Sequence, residues 1–296
     1  MKDWSEAVQQ MLNWLEDNPD KNNTLMCISK EVGYSPWYCS ELFHDATGMT
    51  LKSYAAKRRL AKITEELRDS DERILDIAIK YGLSSQEALT RLFRNEFGCT
   101  PAEYRKHPKI LPFQISKRVL FPDYDKERIT QMEKARLAIT VEHITAHKYL
   151  GVWEEKVDNY GEFWNYHSCE DVCGYVSSLG KLGHPIVTPH TAGWKIKDGK
   201  KIYFYGSGVE LDYDGDIPEG FEIREFPESD YIVFSYPAFD YMKENMDVMA
   251  AVEELAWNYD PSEMGYIWNE DVCQCYQRHF PEKLGYQILR PVVKAK

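Results

Sequence analysis

The chain has 296 residues, 43% of them apolar, with 36 basic against 48 acidic side chains and a formal charge of −12. No apolar run approaches the roughly eighteen residues that a membrane span needs. The N-terminal stretch lacks the basic, apolar and small-residue regions of a secretion signal. Seven cysteines, an odd number, argue against a disulfide framework. We therefore expect a soluble, cytoplasmic protein with reduced thiols, two domains and no membrane partner.

Charge is distributed unevenly along the chain. Residues 1–136 carry 22 basic and 21 acidic side chains, whereas residues 137–296 carry 14 and 27. Because an acidic surface repels nucleic acid, any nucleic-acid contact is predicted in the first part. Prolines interrupt the pattern between the two parts, which predicts a first domain at 1–108, a linker at 109–136 and a second domain at 137–296.

The first part contains several helix signals. A capping box is predicted at Asp3 and Glu6, opening a helix that ends near Asn18. A second apolar run ends at Gly33, which can close a helix, and Ser35 with the following proline then predicts the start of a third helix. Two short helices joined by a tight turn containing glycine form a helix-turn-helix unit.

The same unit recurs further along. The pattern Leu-Phe-x4-Gly-x-Thr-x3-Tyr that begins at Leu42 begins again at Leu92, an offset of fifty residues. Agreement with fixed internal spacing predicts a structural duplication. Between the copies, the segment 51–70 contains neither glycine nor proline and predicts one connecting helix.

Specific motifs lie between Thr24 and Arg105. They are Glu31-Val-Gly-Tyr-Ser, Lys57-Arg-Arg-Leu, Asp76-Ile-Ala-Ile-Lys-Tyr-Gly-Leu-Ser-Ser, Leu89-Thr-Arg-Leu-Phe-Arg and Phe97-Gly-Cys-Thr-Pro-Ala-Glu-Tyr-Arg. This stretch resembles the DNA-binding domain of the AraC/XylS family. The resemblance implies an all-α domain whose two recognition helices enter successive major grooves, with double-stranded promoter DNA and RNA polymerase as partners. It also implies an activator.

The third helix supplies the first set of DNA-binding candidates. With Cys39, Leu42 and Phe43 predicted to face the core, the outward residues are Trp37, Tyr38, Ser40, Glu41 and His44. Trp37, Ser40 and Glu41 match the family's base-contacting positions. Glu41 departs from the basic or amide residue that many members carry, so it accepts from a cytosine amino group or weakens binding. The alternative interpretation is that these outward residues are ordinary solvated surface residues that do not contact DNA.

The second unit supplies the second set. Ser84 or Ser85 is predicted to cap its recognition helix, and Leu89, Leu92 and Phe93 are predicted to face inward. The outward candidates, which suit adenine, guanine and phosphate contacts, are Gln86, Glu87, Thr90, Arg91 and Arg94. On the connecting helix, the run Lys57-Arg58-Arg59 is predicted either to approach the DNA backbone or to form a solvated face.

Alternating apolar and polar runs dominate the second part. They predict strands near 136–142, 147–153, 201–206, 221–226, 231–236 and 286–293, with helical stretches near 160–179 and 240–258. Each helix follows a pair of strands. We therefore predict an α+β domain built from two similar β-β-α-type halves.

The stretch from Phe226 to Ala238, with terminal strands at 271–276 and 288–293, carries a second resemblance. It is similar to the GyrI-like effector-binding domain of Rob-like regulators, which implies a cleft between the halves for a small apolar or cationic molecule. In that family a buried glutamate on the penultimate strand meets the ligand's charge. The alignment places Gln274 there, or Glu270 if it is shifted, and a glutamine favours a neutral effector.

Abundant aromatic residues in an acidic background independently support a cleft, although core packing is the alternative for each of them. The effector-binding candidates are Tyr160, Phe163, Trp164, Trp194, Tyr205, Trp268, Glu270, Gln274 and Tyr276.

The leading hypothesis is a non-enzymatic transcription regulator without a metal or other cofactor. The alternatives are a small-molecule hydrolase using Tyr276 and Glu270, or a protein-docking module. A metal site at His167, Cys169 and Cys173 with His184 or His190 is less favoured than ordinary packing.

Overall fold

The computed structural model describes residues 4–19, 25–120, 136–188 and 190–295. The chain folds as two compact units, an N-terminal unit of Met1–Phe121 with Cys173–Gly180, and a C-terminal unit of Pro122–Val172 with Lys181–Lys296. The helices are α1 Trp4–Asp17, α2 Leu25–Val32, α3 Pro36–Thr47, α4 Leu51–Asp69, α5 Ile74–Lys80, α6 Gln86–Phe97, α7 Pro101–Lys106, α8 Tyr160–Phe163, α9 Cys169–Leu179 and α10 Tyr241–Asn258. Within the described ranges, none of the helices is long and apolar enough to cross a membrane.

In the N-terminal unit, the predicted end of α1, the predicted end of α2 and the predicted start of α3 are confirmed. Ser35 caps α3 by accepting from the Tyr38 backbone N–H, and Gly48 closes the helix at φ 70°. Helix α1 ends where Asn18 was expected to stop it. The predicted capping residue Asp3 lies outside the described residues.

The duplication is visible in the packing. Phe43 and Tyr54 are buried with their ring centroids 5.5 Å apart, and Phe93 and Tyr104 repeat this contact at the same distance. Gly48 and Gly98 both take left-handed backbone conformations, with φ of 70° and 73°. The repeated motif therefore specifies the end of a recognition helix, a turn and the next helix.

In the second helix-turn-helix unit, one residue that was predicted to face the core does not. Ser85, rather than Ser84, caps α6, and Leu89 and Phe93 are buried as predicted. Leu92, however, is 46% exposed. Its counterpart Leu42 is half-buried and packs against the core cluster of α1 to α4, whereas Leu92 belongs to neither of the two core clusters of the N-terminal unit.

The packed N-terminal unit extends beyond the predicted domain end at residue 108. Leu111 and Phe113 are each 4% exposed and belong to the core cluster around α4 to α7. Residues 121–135, most of the predicted linker, lie outside the described residues. The domain boundaries themselves remain predictions.

Strands of the C-terminal unit form one antiparallel sheet in the described residues. Their bounds are β1 Ala138–Ile144, β2 His147–Glu154, β3 Thr191–Lys197, β4 Lys200–Val209, β5 Glu222–Phe226, β6 Ser229–Tyr236, β7 Tyr266–Trp268, β8 Cys275–Phe280 and β9 Gly285–Lys294. The order is β1-β6-β9-β8-β3-β4-β2-β5, with β7 beside β9. Exchanging β1, β2, β3 and β4 with β5, β6, β8 and β9 reproduces this order read from the opposite edge of the sheet. The two similar halves are thus confirmed, and β3 and β8 meet at their junction.

Local details differ from the sequence pattern. The helical stretch predicted near 160–179 is two helices, α8 and α9, separated by a turn. The strand predicted at 271–276 begins only at Cys275 and runs to Phe280. Strand β3 was not predicted, since Gly193 and Trp194 interrupt any regular alternation there, and its pairing with β4 and β8 holds it in the sheet.

Candidate functional site

The outer face of α3 presents large and polar side chains. Trp37 is 72% exposed and Tyr38 40% exposed, while Glu41 is exposed and Ser40 half-buried. Tyr38 packs at 5.2 Å against the ring of Tyr34 in the preceding turn. Trp37 remains largely in water beside this aromatic pair, and an exposed aromatic patch of this kind is typical of a contact surface.

The outer face of α6 gathers the second set of predicted residues. Gln86, Glu87, Arg91 and Arg94 are exposed, and the half-buried Thr90 donates its hydroxyl to the backbone oxygen of Gln86 at 2.9 Å. All five border one shallow depression of about 290 Å³, together with Asn95. The structure therefore brings these candidates together on one surface, with two arginines and an amide able to contact base edges or phosphates.

Two of the three basic residues in the run Lys57-Arg58-Arg59 on α4 stabilise the fold. Arg58 is 13% exposed in its side chain and pairs with Glu16 of α1, and Arg59 donates to the backbone oxygen of Pro19 at 3.0 Å. Lys57 is exposed. The predicted approach to the DNA backbone is therefore available to Lys57, whereas Arg58 and Arg59 hold α1 and the following turn against α4.

A cavity of about 690 Å³ lies within the C-terminal unit, between the two halves of the sheet domain. Its lining residues come from the start of α8 and the two residues before it, from β3 and the residue before it, from β4 and β8, and from one face of α10. They are Asp158, Asn159, Tyr160, Gly161, His190, Ala192, Trp194, Lys201, Tyr203, Tyr205, Tyr241, Asn245, Met246, Met249, Glu253, Trp257, Gln277 and His279. The volume and the combination of aromatic faces with hydrogen-bonding side chains are those of a small-molecule site.

A chain of hydrogen bonds crosses one wall of this cavity. The Tyr203 hydroxyl donates to Gln277 Oε1 at 2.7 Å, and Gln277 Nε2 donates to the Tyr286 hydroxyl at 2.6 Å. Tyr286 in turn donates to Glu253 Oε1 at 3.1 Å. Burial raises the pKa of Glu253, which the Tyr286 hydrogen bond and the charge of Lys201 oppose. These contacts fix the polar end of the cavity.

Two histidines on the cavity wall are held by neighbours. His190 Nδ1 lies 2.8 Å from the Tyr205 hydroxyl, and burial lowers the pKa of His190 to about 4. His279 Nε2 lies 2.7 Å from Asn245 Oδ1 on α10. His190 is therefore neutral near pH 7 and adds no charge to the cavity.

Three of the nine predicted effector-binding residues line this cavity. They are Tyr160, Trp194 and Tyr205. Phe163 and Trp164 lie immediately behind the lining, where Phe163 is fully buried and the ring of Trp164 packs 5.1 Å from that of Tyr205. These two shape the wall without reaching the cavity.

The other four predicted residues do not line the cavity. Trp268 stacks with the Arg290 guanidinium at 3.6 Å, and Glu270 pairs with the same Arg290 at 2.8 Å. Tyr276 points to the opposite face of the sheet, because side chains alternate along β8 and Gln277 takes the cavity side. Gln274 precedes β8 and donates from Nε2 to the Tyr276 hydroxyl at 3.3 Å, so its side chain lies with Tyr276 rather than in the cavity.

The hydrolase alternative needed Tyr276 and Glu270 in one site. Tyr276 is fully buried, and its hydroxyl lies 2.5 Å from His147 Nε2. Glu270 is engaged with Arg290 and with the thiol of Cys275. The structure therefore does not bring the two groups together.

Several lining residues were not predicted as site residues, among them Lys201, Glu253 and Gln277. A signal for Glu253 exists in the sequence. Met246, Met249, Glu253 and Trp257 follow helical spacing, so a carboxylate interrupts an otherwise apolar face of α10. Lys201 and Gln277 carry no such signal, because their orientation depends on strand register.

The residues considered for a metal do not form a ligand set. His167 Nε2 lies 3.3 Å from Glu154. Cys173 is buried, whereas Cys169 is exposed. Over the ranges that the structure covers, no group of three or more histidine, cysteine or acidic side chains is arranged to hold a metal ion.

Comparisons with known proteins agree with the two-part architecture. A model of the helix-turn-helix domain family matches residues 28–107. The chain is 25% identical over 238 residues to the Right origin-binding protein of Escherichia coli (strain K12), covering 79% of each chain. It is 40% identical over 103 residues to the "Probable transcription factor PqrA" of Proteus vulgaris, covering 34% of this chain and 84% of that protein. It is 38% identical over 99 residues to the Multiple antibiotic resistance protein MarA of Salmonella typhimurium, covering 33% and 78%.

Proposed function

Because the chain belongs to the AraC-type family of DNA-binding transcription regulators, we propose that it binds specific promoter sequences through α3 and α6 and activates transcription. The observation that carries this proposal is the repeated geometry of the two recognition helices. Each helix is capped by a serine, ends at a left-handed glycine and leaves an outward face of polar and aromatic side chains. Such a face fits the major groove of DNA.

Individual contacts follow from side-chain chemistry. Trp37 packs on a thymine methyl group or a sugar, and Glu41 accepts from a cytosine amino group. On α6, Gln86 suits adenine, Arg91 suits guanine and Arg94 contacts a phosphate. The remaining predicted residues, Tyr38, Ser40, Glu87 and Thr90, border these contacts.

The C-terminal cavity binds a small, largely apolar effector in this proposal. Tyr160, Trp194 and Tyr205 from the predicted set, joined by Tyr203 and Trp257, offer aromatic faces to a flat molecule. The effector regulates transcription only if it binds the active state more tightly than the inactive one. RNA polymerase is the expected protein partner, and the cytoplasm is the expected location because promoter DNA is there.

Selection of duplexes from a random library by the full-length chain tests the DNA-binding proposal. We expect an asymmetric site whose two preferred blocks are separated by about one helical turn. The chain with both Trp37→Ala and Arg91→Ala is the control and should lose the preference in both blocks. Binding without any sequence preference would contradict sequence-specific regulation.

Native mass spectrometry of the chain purified from cells tests the effector proposal. A bound small molecule that is lost in a variant with Trp194→Ala and Tyr205→Ala would support the cavity as its site. A co-purified protein that remains bound to this variant, with no small molecule bound to the unaltered chain, would instead favour a docking module.

A further inference from the structure

Lys201 places a cation inside the aromatic part of the cavity. Its Nζ lies 3.5 Å from the centroid of the Trp257 ring and 5.8 Å from that of Trp194. The Arg290 guanidinium lies 4.7 Å from the same Trp257 ring. Trp257 therefore already holds two cations of the chain itself, and a ligand cation approaching this ring would meet like charge.

The Lys201 ammonium also lacks an acceptor. In the described part of the chain it has neither a hydrogen bond nor a carboxylate at ion-pair distance, and Glu253 and Asp158 act on it only from further away. Glu253 Oε1 accepts from Tyr286 instead. Burial lowers the pKa of Lys201, since the half-buried ammonium has lost part of its hydration.

Other buried cations of the same unit are paired. Arg290 lies 2.8 Å from Glu270, and Arg278 lies 2.9 Å from Glu142. Lys195 donates to backbone oxygens, including that of Asp271 at 2.8 Å. Against this background, Lys201 is a partly dehydrated donor group that faces a cavity large enough for a ligand.

We propose that Lys201 determines which ligands this cavity accepts, by pairing with an acidic group on a flat, largely apolar molecule. The inference rests on the proposed function, that the cavity binds a small effector. The rings of the ligand lie against Trp194 and Tyr205, and its carboxylate lies beside the Lys201 ammonium. Lipophilic cations are excluded from the Trp257 ring because Lys201 occupies it.

Three probes of matched shape test this assignment: 2-naphthoic acid, neutral 2-naphthamide and cationic 2-naphthylmethylamine. Their affinities for the full-length chain are measured by isothermal titration calorimetry near neutral pH. We expect the acid to bind about tenfold more tightly than the amide, and the amine to bind most weakly. Lys201→Met should weaken acid binding by about tenfold and change amide binding by less than about twofold.

Lys200→Met is the matched control. Lys200 precedes Lys201 at the start of β4, is exposed and does not line the cavity. This variant should leave all three affinities unchanged. Lys201→Arg keeps the positive charge and should keep the preference for the acid, which guards against a loss caused by misfolding of Lys201→Met.

The outcomes separate this inference from the proposed function. If 2-naphthamide binds and the acid has no advantage, or if Lys201→Met folds and keeps the preference for the acid, the role of Lys201 is overturned while the cavity remains an effector site. If none of the probes binds the unaltered chain, both proposals fail for flat aromatic ligands. Tighter binding of the amine than of the acid also overturns the assignment.

Discussion

Arg58 on α4 donates from Nε and Nη2 to the two carboxylate oxygens of Glu16 on α1, at 2.6 and 2.7 Å. Lys62 adds a second cation 3.4 Å from the same carboxylate. The Glu16 and Arg58 side chains are 21% and 13% exposed. Helix α1 is therefore attached to the connecting helix by a largely buried ion pair as well as by its apolar face.

Loss of this pair should destabilise the N-terminal unit. We expect Arg58→Ala to lower the free energy of unfolding by about 3 kcal/mol, because Glu16 is left partly buried without its main partner. Lys57→Ala, at the exposed neighbouring position, should change it by less than about 0.5 kcal/mol. Urea unfolding followed by far-UV circular dichroism measures both. Equal stabilities of the two variants would contradict the assigned role of Arg58.

The same pair predicts a pH dependence. Burial alone would raise the pKa of Glu16, but the hydrogen bonds and charges of Arg58 and Lys62 outweigh it, so the pKa lies below its ordinary value of 4.5. A carboxyl with a lowered pKa stabilises the fold fully above its unfolded pKa, and this contribution is lost as the pH falls through the folded pKa. The stability difference between the unaltered chain and Arg58→Ala should thus be constant above about pH 5.5 and shrink below about pH 4.5. A difference that grows on acidification would show that another group controls it.

His147 makes the C-terminal unit sensitive to mild acid. It is fully buried, and burial lowers its pKa from 6.5 to about 4, so the unfolded chain binds a proton more readily than the folded one. Above about pH 6.5, His147 is neutral in both states and does not lower the free energy of unfolding. As the pH falls towards 4, the unfolded chain takes up the proton first, and the free energy of unfolding falls by about 2–3 kcal/mol. His147→Gln should flatten the fall in free energy of unfolding over this range, as followed by tryptophan fluorescence. The same slope in both proteins would exclude His147 as its source.

Substitutions of Arg91 and Arg94 should affect DNA binding differently, one through sequence specificity and the other through general affinity. If Arg91 pairs with a guanine, Arg91→Ala costs about 1–3 kcal/mol and relaxes specificity at one base pair. If Arg94 contacts a phosphate, Arg94→Ala weakens binding to every sequence equally and lowers the salt slope by about one. Fluorescence anisotropy with single-base variants of the selected site, at several salt concentrations, distinguishes them. Unchanged affinity of Arg91→Ala would remove its assignment.

Substitutions of Trp37 and Glu41 test whether the outer face of α3 contacts DNA. Trp37→Ala should weaken DNA binding by about 1–2 kcal/mol. It should leave the stability of the free chain nearly unchanged, since the side chain is 72% exposed. Glu41→Gln removes a negative charge near the phosphates and should tighten binding to unrelated sequences, by about 1 kcal/mol at low salt. A Trp37→Ala chain that unfolds more easily but binds DNA normally would indicate a packing role instead.

Much of the N-terminal unit could be predicted because its signals are local. The caps at Ser35 and Ser85 and the glycines that close α3 and α6 depend on neighbours within a few residues. The repeat from Phe43 to Tyr54 and from Phe93 to Tyr104 likewise carries its own geometry. Only Leu92 was placed on the wrong side, since its exposure depends on which helix lies opposite.

The sequence by itself determined the elements, the duplication and the presence of aromatic residues for a cleft. The tertiary structure decided which side chains meet in that cleft. On β8, neighbouring side chains face opposite sides of the sheet, so Gln277 lines the cavity whereas Tyr276, with Gln274 bonded to its hydroxyl, does not. The contact of Lys201 on β4 with Trp257 on α10 joins residues far apart in the chain. Such contacts depend on strand register and helix packing, which no local pattern encodes.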